Sequence, residues 1–228
     1  FIGRLNMPVK HQCTLGELAL YFNATQYWNA NISVVQCEGW KRENLFYDWF
    51  MKWVNPSPAL QNFEATLLYP GLCFFEATNV SVGRGTNYSF EWIGAEWMNL
   101  PAMMLVGQNI LKEDLKIENL SLPITIDGNT KETKGIRIKI IEPKFYSAVI
   151  NGLILLKLVK DIHPKAFKWM PYKTNANPTG ENHLSLLLGI PNAEAIFDLP
   201  LQQWLQKMSV LIKVERWKKE IETYLLYN

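Results

Sequence analysis

Apolar positions along the chain fall into a few clear periods. Thr14-Leu15-Gly16-Glu17 has the T-x-x-E form of a capping box, and Leu15, Leu18, Ala19 and Phe22 follow at helical spacing, which predicts a helix from about Thr14 to Asn23. The β-branched run Ile32–Gln36 predicts a strand closed by Glu38-Gly39. Trp40, Phe46, Trp49, Phe50 and Trp53 make an aromatic segment, irregular or briefly helical, whose rings would cover the core. Asn55-Pro56-Ser57-Pro58 reads as a rigid loop, because each proline removes a donor and holds its predecessor extended.

Gln61–Leu68 returns to helical character and ends at Tyr69-Pro70-Gly71. Tyr88–Trp92 alternates as a strand does, and Pro101–Leu111 predicts an amphipathic helix with Met103 and Met104 as core filler. Leu122–Ile126, Asp127-Gly128-Asn129 and Gly135–Ile141 form a hairpin pattern in which Ile136, Ile138 and Ile140 alternate against Arg137 and Lys139, so one face of that sheet is wet. Phe145–Val159 predicts a buried helix, Thr174–Gly180 a surface loop, and His183–Leu188 and Asn192–Phe197 short helices. A long helix is expected over Leu201–Leu226, with Trp204, Met208, Leu211, Val214, Trp217, Ile221 and Leu225 on its apolar stripe and its lysines in solvent.

Strands and helices mixed without βαβ spacing, and without a strand followed by G-x-G-x-x-G, indicate α+β rather than a doubly wound nucleotide fold: a mixed sheet with packed helices. At 228 residues and 48% hydrophobic content the chain can bury a real core, read here as one domain over 1–228. The balance of 23 basic against 21 acidic residues gives no reason to expect nucleic acid. Cys13, Cys37 and Cys73 have no C-x-x-C spacing, which argues against a metal site and a disulfide framework, and no cofactor motif is present. The opening FIGRLNMPVK shows no targeting pattern, and Val149–Leu156 is too short to span a bilayer, which needs about 20 residues.

The stretch with the most chemistry is Tyr69–Thr86, YPGLCFFEATNVSVGRGT. Leu72–Phe75 reads as buried, so Glu76, Asn79, Ser81 and Arg84 would emerge from a core onto a loop. Gly83 and Gly85 permit positive φ, and with Thr86 they could turn successive N–H groups onto an oxygen-rich ligand. Arg84 suits a bidentate clamp on a substrate carboxylate, or equally an ion pair with a neighbouring Glu. Asn79 and Ser81 could meet sugar hydroxyls or close their own turn. Glycoside chemistry needs paired carboxylates, and Glu64, Glu76 and Glu91 are the candidates. Glu76, directly after Phe74-Phe75, is placed for a raised pKa as catalytic acid, or for pairing with Arg84. His11 could serve in acid–base work or be structural.

These stretches resemble the exo-β-N-acetylmuramidase family, the NamZ-like peptidoglycan-salvage glycosidases catalogued as a domain of unknown function. The likeness rests on MPVKHQCTLGELALYFN, WVNPSPA, YPGLCFFEATNVSVGRGT, GIRIKI with its following helix, HLSLLLGI and YLLY. It implies that this chain is the C-terminal domain, with the family's Rossmann-like N-terminal domain absent and the principal acid carried there. It further implies a parent hydrolase, periplasmic or secreted in a bacterium, that releases terminal N-acetylmuramic acid from peptidoglycan fragments in cell-wall recycling. This portion would form one wall of the cleft and be inactive alone, with Arg84 and the loop N–H groups holding the lactyl carboxylate or ring hydroxyls. Asn79, Ser81, Thr86 and His11 would assist, and Glu76 would orient Arg84. The alternative is a non-catalytic carbohydrate-binding module or an inactive remnant.

Overall fold

The computed structural model describes residues 7–111, 113–126, 128–213 and 215–227. Asp127, Val214 and the first six residues, which enter the expectations above, lie outside the described residues. In chain order the helices are α1 (Leu15–Thr25), α2 (Phe63–Leu72), α3 (Leu100–Leu111), α4 (Ala148–Ile162), α5 (His183–Leu188), α6 (Ala193–Ile196), α7 (Leu201–Leu211) and α8 (Glu215–Ile221). The strands are β1 (Trp92–Gly94), β2 (Leu115–Ile126) and β3 (Asn129–Ile140), and 3-10 turns occupy Phe46–Trp49, Cys73–Ala77 and Glu222–Tyr224. The architecture is thus the expected mixture of helices with a small antiparallel sheet, of strand order β1-β3-β2. The contacts divide the chain into two compact units. Among the described residues, 52–206 form the larger, and the smaller joins those up to 51 to those from 207 onward.

In the larger unit, β2 and β3 pair over their whole length, from Leu115 opposite Ile140 to Ile126 opposite Asn129. Ile117, Ile136 and Ile138 are buried on one face of this hairpin and Leu122 and Ile124 on the other, so both faces bury apolar residues where one was expected to be wet, while Lys131, Glu132 and Lys134 are exposed. Trp92 is fully buried among Leu122 and Ile124 and donates its indole N–H to Leu120 O at 2.8 Å. Helix α4 buries Leu153, Leu155 and Leu156 completely, each contributing about 1.5–3 kcal/mol of apolar burial. It crosses α2 where Gly71 and Gly152 meet: a Cβ on Gly152 would lie 2.3 Å from Gly71 Cα.

In the smaller unit, the capping box forms as predicted. Glu17 N–H donates to Thr14 Oγ1 at 3.3 Å and Thr14 N–H to Glu17 Oε2 at 2.7 Å, an arrangement that stabilises a helix start by about 1 kcal/mol. Glu17 also binds Arg42 and accepts the Leu226 N–H at 2.8 Å.

Several expectations change. Helix α2 runs through Pro70 to Leu72, although the proline removes one N–H donor from the ladder. Ile32–Gln36 forms no strand: among the described residues no segment pairs with it, and Val35 is 93% exposed. Trp49 and Phe50 are exposed instead of covering a core. The long terminal helix is divided into α7 and α8. After the four-residue Ile212 N–H to Met208 O bond its ladder turns to a three-residue Lys213 N–H to Val210 O bond. Among the described residues no helix is long and apolar enough to cross a membrane.

Candidate functional site

The apolar run roots the site as its composition predicts. Phe74 and Phe75 are buried in the 3-10 turn Cys73–Ala77, which holds Glu76 beside them. The chain leaves this turn between two backbone partners. On one side Met170 N–H donates to Ala77 O at 2.8 Å and Asn79 N–H to Lys168 O at 3.1 Å. On the other, Ser81 and Gly94 exchange both backbone bonds, at 2.9 and 3.0 Å, which fastens the segment to the edge of β1. The Asn79 side chain is spent on the same clamp, donating to Ala166 O and accepting from Lys168 N–H, each at 2.9 Å.

Gly83 and Gly85 adopt φ of +72° and +84°, the left-handed conformations their type allows. Three amides of the loop turn inward. Gly83 N–H donates to Ser81 Oγ, Thr86 N–H to Gly83 O, and Tyr88 N–H to Thr86 Oγ1. Gly83 O also accepts from the Thr86 and Ser89 hydroxyls, at 2.7 and 3.0 Å. A short loop buried at its base must pair its own polar groups, and here the hydroxyls of Ser81, Thr86 and Ser89 do that. Of the expected ligand residues in this loop Arg84 and Gly85 are exposed, and the guanidinium of Arg84 is the charged group among them.

Arg84 is directed by four neighbours. Its Nε donates to Glu76 Oε1 at 2.9 Å and its Nη2 bonds the same oxygen. Its guanidinium carbon lies 4.7 Å from the centre of the Phe90 ring, which Tyr69 meets edge-on at 4.8 Å. Phe90 is held at φ +60°, a left-handed backbone that costs a non-glycine residue roughly 1–2 kcal/mol. Tyr172 donates its hydroxyl to Glu76 Oε1 at 3.2 Å, and its ring packs on His183 at 4.9 Å. The carboxylate is 8% exposed and the Arg84 side chain 46%, so the anion lies inside and the cation reaches out.

The electrostatics follow from that arrangement. Burial opposes the charge of Arg84, but the hydrogen bond and charge of Glu76 outweigh it and raise its pKa. Burial, reinforced by Glu76, pushes the Tyr172 and Tyr69 phenols up. Burial pushes His183 down, against the pull of Glu76. The result is a fixed cation with neutral phenols behind it, fit to bind an anionic or hydroxyl-rich ligand.

The other predicted groups are placed elsewhere. Glu64 Oε1 accepts the Ile140 N–H at 2.9 Å, and Glu91 is buried against Asn62 and Arg137, whose guanidinium stacks on Tyr88. Among the described residues no hydrogen bond or ion pair joins any two of Glu64, Glu76 and Glu91. His11 belongs to the smaller unit, where its Nδ1 accepts from Cys13 N–H and its carbonyl from the Trp217 indole. Among the described residues no group of three His, Cys, Asp or Glu could hold a metal ion. Tyr172, Phe90 and His183 were not legible as site residues, since Tyr172 lies 96 positions from Glu76 and no local period links them.

Comparison with known proteins sets this geometry in context. Residues 67–227 match the family model for the C-terminal part of the exo-beta-N-acetylmuramidase NamZ, and residues 1–64 match the one for its N-terminal part. Assignment to the C-terminal part is therefore carried by residues 67–227 and not by the whole chain. The peptidoglycan beta-N-acetylmuramidase NamZ of Bacillus subtilis is 30% identical over 171 residues, which cover 75% of this chain and 41% of that protein. Two solved structures of DUF1343 family proteins from Bacteroides fragilis share the fold. One superposes with a TM-score of 0.81 at 18% identity, over 100% of this chain and 60% of its own. The other does so with a TM-score of 0.56 at 24% identity, over 99% and 58%. The chain thus spans less than half the length of its Bacillus relative.

Proposed function

The chain belongs to the exo-beta-N-acetylmuramidase NamZ family, and from that premise we propose that it forms part of the substrate cleft of a peptidoglycan glycoside hydrolase that releases terminal N-acetylmuramic acid. One observation carries the reading: a half-exposed guanidinium, Arg84, is held from behind by the buried carboxylate of Glu76. N-acetylmuramic acid differs from N-acetylglucosamine by a lactyl ether that carries a carboxylate, and a fixed guanidinium is the group that tells the two apart. The Arg84 side chain is 46% exposed, which leaves its outer edge for the lactyl oxygens. Hydrolysis also needs a proton donor and a base or nucleophile. Glu76 is engaged with Arg84 and Tyr172, so its role is to hold the cation, and the proton-transfer carboxylates are assigned outside this cluster.

Calorimetry with methyl N-acetyl-β-muramide and methyl N-acetyl-β-glucosaminide tests the reading. The expected outcome is tighter binding of the muramide, with the preference lost in Arg84→Ala and partly kept in Arg84→Lys. Equal affinity for the two sugars in the unaltered chain would end it. The engagement of Glu64, Glu76 and Glu91 favours a second reading, in which this chain binds sugar without cleaving it. Turnover of a chromogenic N-acetylmuramide by the chain would decide against that.

A further inference from the structure

Glu76 presents a difficulty to any anionic ligand of Arg84, because its own charge lies beside the guanidinium and repels a second carboxylate. The oxygen that Arg84 shares, Oε1, also accepts the hydroxyl of Tyr172. That third donor draws charge from Oε1 and fixes which carboxylate oxygen faces Arg84. With its pKa raised by burial and by Glu76, the phenol remains a donor throughout the neutral range.

The segment that carries Tyr172 is built to hold it there. Trp169 bridges Thr78 and Met170 N–H donates to Ala77 O, so the antiparallel run brings the Tyr172 hydroxyl within hydrogen-bond reach of Glu76. Tyr172 N–H donates to Gly180 O at 2.9 Å, and a Cβ on Gly180 would lie 2.7 Å from Tyr172 N. Between them Thr174 and Asn177 exchange backbone bonds at 3.0 and 3.1 Å, and the buried Asn177 amide donates to Glu181 O at 3.0 Å. The predicted surface loop is thus closed on itself, and one aromatic ring from its base reaches the cluster.

We infer that Tyr172 is a positioning residue that makes Arg84 selective for a carboxylated sugar, by fixing Glu76 Oε1 and damping its charge. The inference rests on the proposed N-acetylmuramic acid reading and assigns part of the selectivity of Arg84 to a hydroxyl that acts through Glu76.

The test measures binding of methyl N-acetyl-β-muramide and methyl N-acetyl-β-glucosaminide to the whole chain, unaltered and as Tyr172→Phe, which keeps the ring on His183. The expected result is a loss of about three- to tenfold in muramide affinity with glucosaminide affinity unchanged. Gly180→Ala, which displaces the Tyr172 backbone without removing the hydroxyl, is expected to narrow the same ratio and serves as the second variant should Tyr172→Phe fold poorly. A merely structural role would weaken both sugars alike, and that outcome overturns the inference. If Arg84→Ala abolishes the preference while Tyr172→Phe leaves it intact, the inference falls and the substrate reading stands. If the unaltered chain shows no preference, both fall.

Discussion

Gly71 and Gly152 bring helices α2 and α4 together backbone to backbone: a methyl group on Gly71 would lie 2.2 Å from Ala148 O, and one on Gly152 2.3 Å from Gly71 O. Both obstacles are main-chain atoms, which cannot swing aside as a side chain would. Gly152→Ala and Gly71→Ala are each expected to cost about 2–3 kcal/mol through forced separation of the helices. Denaturant unfolding followed by circular dichroism reads this directly. A midpoint unchanged in either variant would show that the crossing is looser than described.

Glu17 should give the smaller unit a characteristic acid sensitivity. Burial favours its neutral form, but the hydrogen bond from Arg42 and those from the Thr14 and Leu226 N–H groups outweigh this and hold its pKa near 2, below the ordinary 4.5. A carboxylate depressed in the folded state stabilises the fold above its ordinary value, and that contribution disappears as pH falls from about 4.5 toward 2. Glu17→Gln is expected to cost about 2–3 kcal/mol at pH 7, less than a fully buried pair because Arg42 is partly exposed. It should also flatten the dependence below pH 4.5. Equal acid sensitivity in both proteins would show that Glu17 is not the group responsible.

What was legible in the chain was what is local. The capping box at Thr14, the alternation over Gly135–Ile141, and the apolar runs of α3 and α4 each carry their period within about a dozen residues, and each forms. Ile32–Gln36 has strand composition, yet a strand needs a partner, and partnership is not written in five residues. Tyr88–Trp92 alternates too, but Phe90 turns left-handed and the strand begins only at Trp92. The Glu76–Arg84 pair was one of two open readings, because eight residues of separation with glycines between allow contact without requiring it. Tyr172 was invisible, since the antiparallel run that brings it to Glu76 joins distant parts of the chain.

The three thiols should separate sharply by reactivity. Burial pushes Cys73 up to about 12, with the charge of Glu76 adding to the effect, and burial together with Glu17 raises Cys13, whereas Cys37 is exposed. Iodoacetamide at pH 8, followed by peptide mass analysis, is expected to label Cys37 first, Cys13 more slowly and Cys73 only after unfolding. Labelling of Cys73 at the rate of Cys37 would show that the 3-10 turn opens readily.

Asn79 was expected to contact sugar, and its amide instead ties Ala166 and Lys168 to the root of the loop. We propose this clamp as its main role. Asn79→Ala should therefore lower stability by about 1–3 kcal/mol while leaving the ratio of muramide to glucosaminide affinity as it was. A changed ratio at unchanged stability would return Asn79 to the ligand.

The hydrogen bonds that the loop between Ser81 and Phe90 makes to itself bear on the thermodynamics of any encounter at Arg84. A segment that must freeze upon contact surrenders part of its interaction enthalpy to lost freedom, whereas this one has met that loss during folding. A guest arriving at Arg84 finds the cation already standing, so its association should proceed with little loop-ordering entropy and little lag between collision and capture.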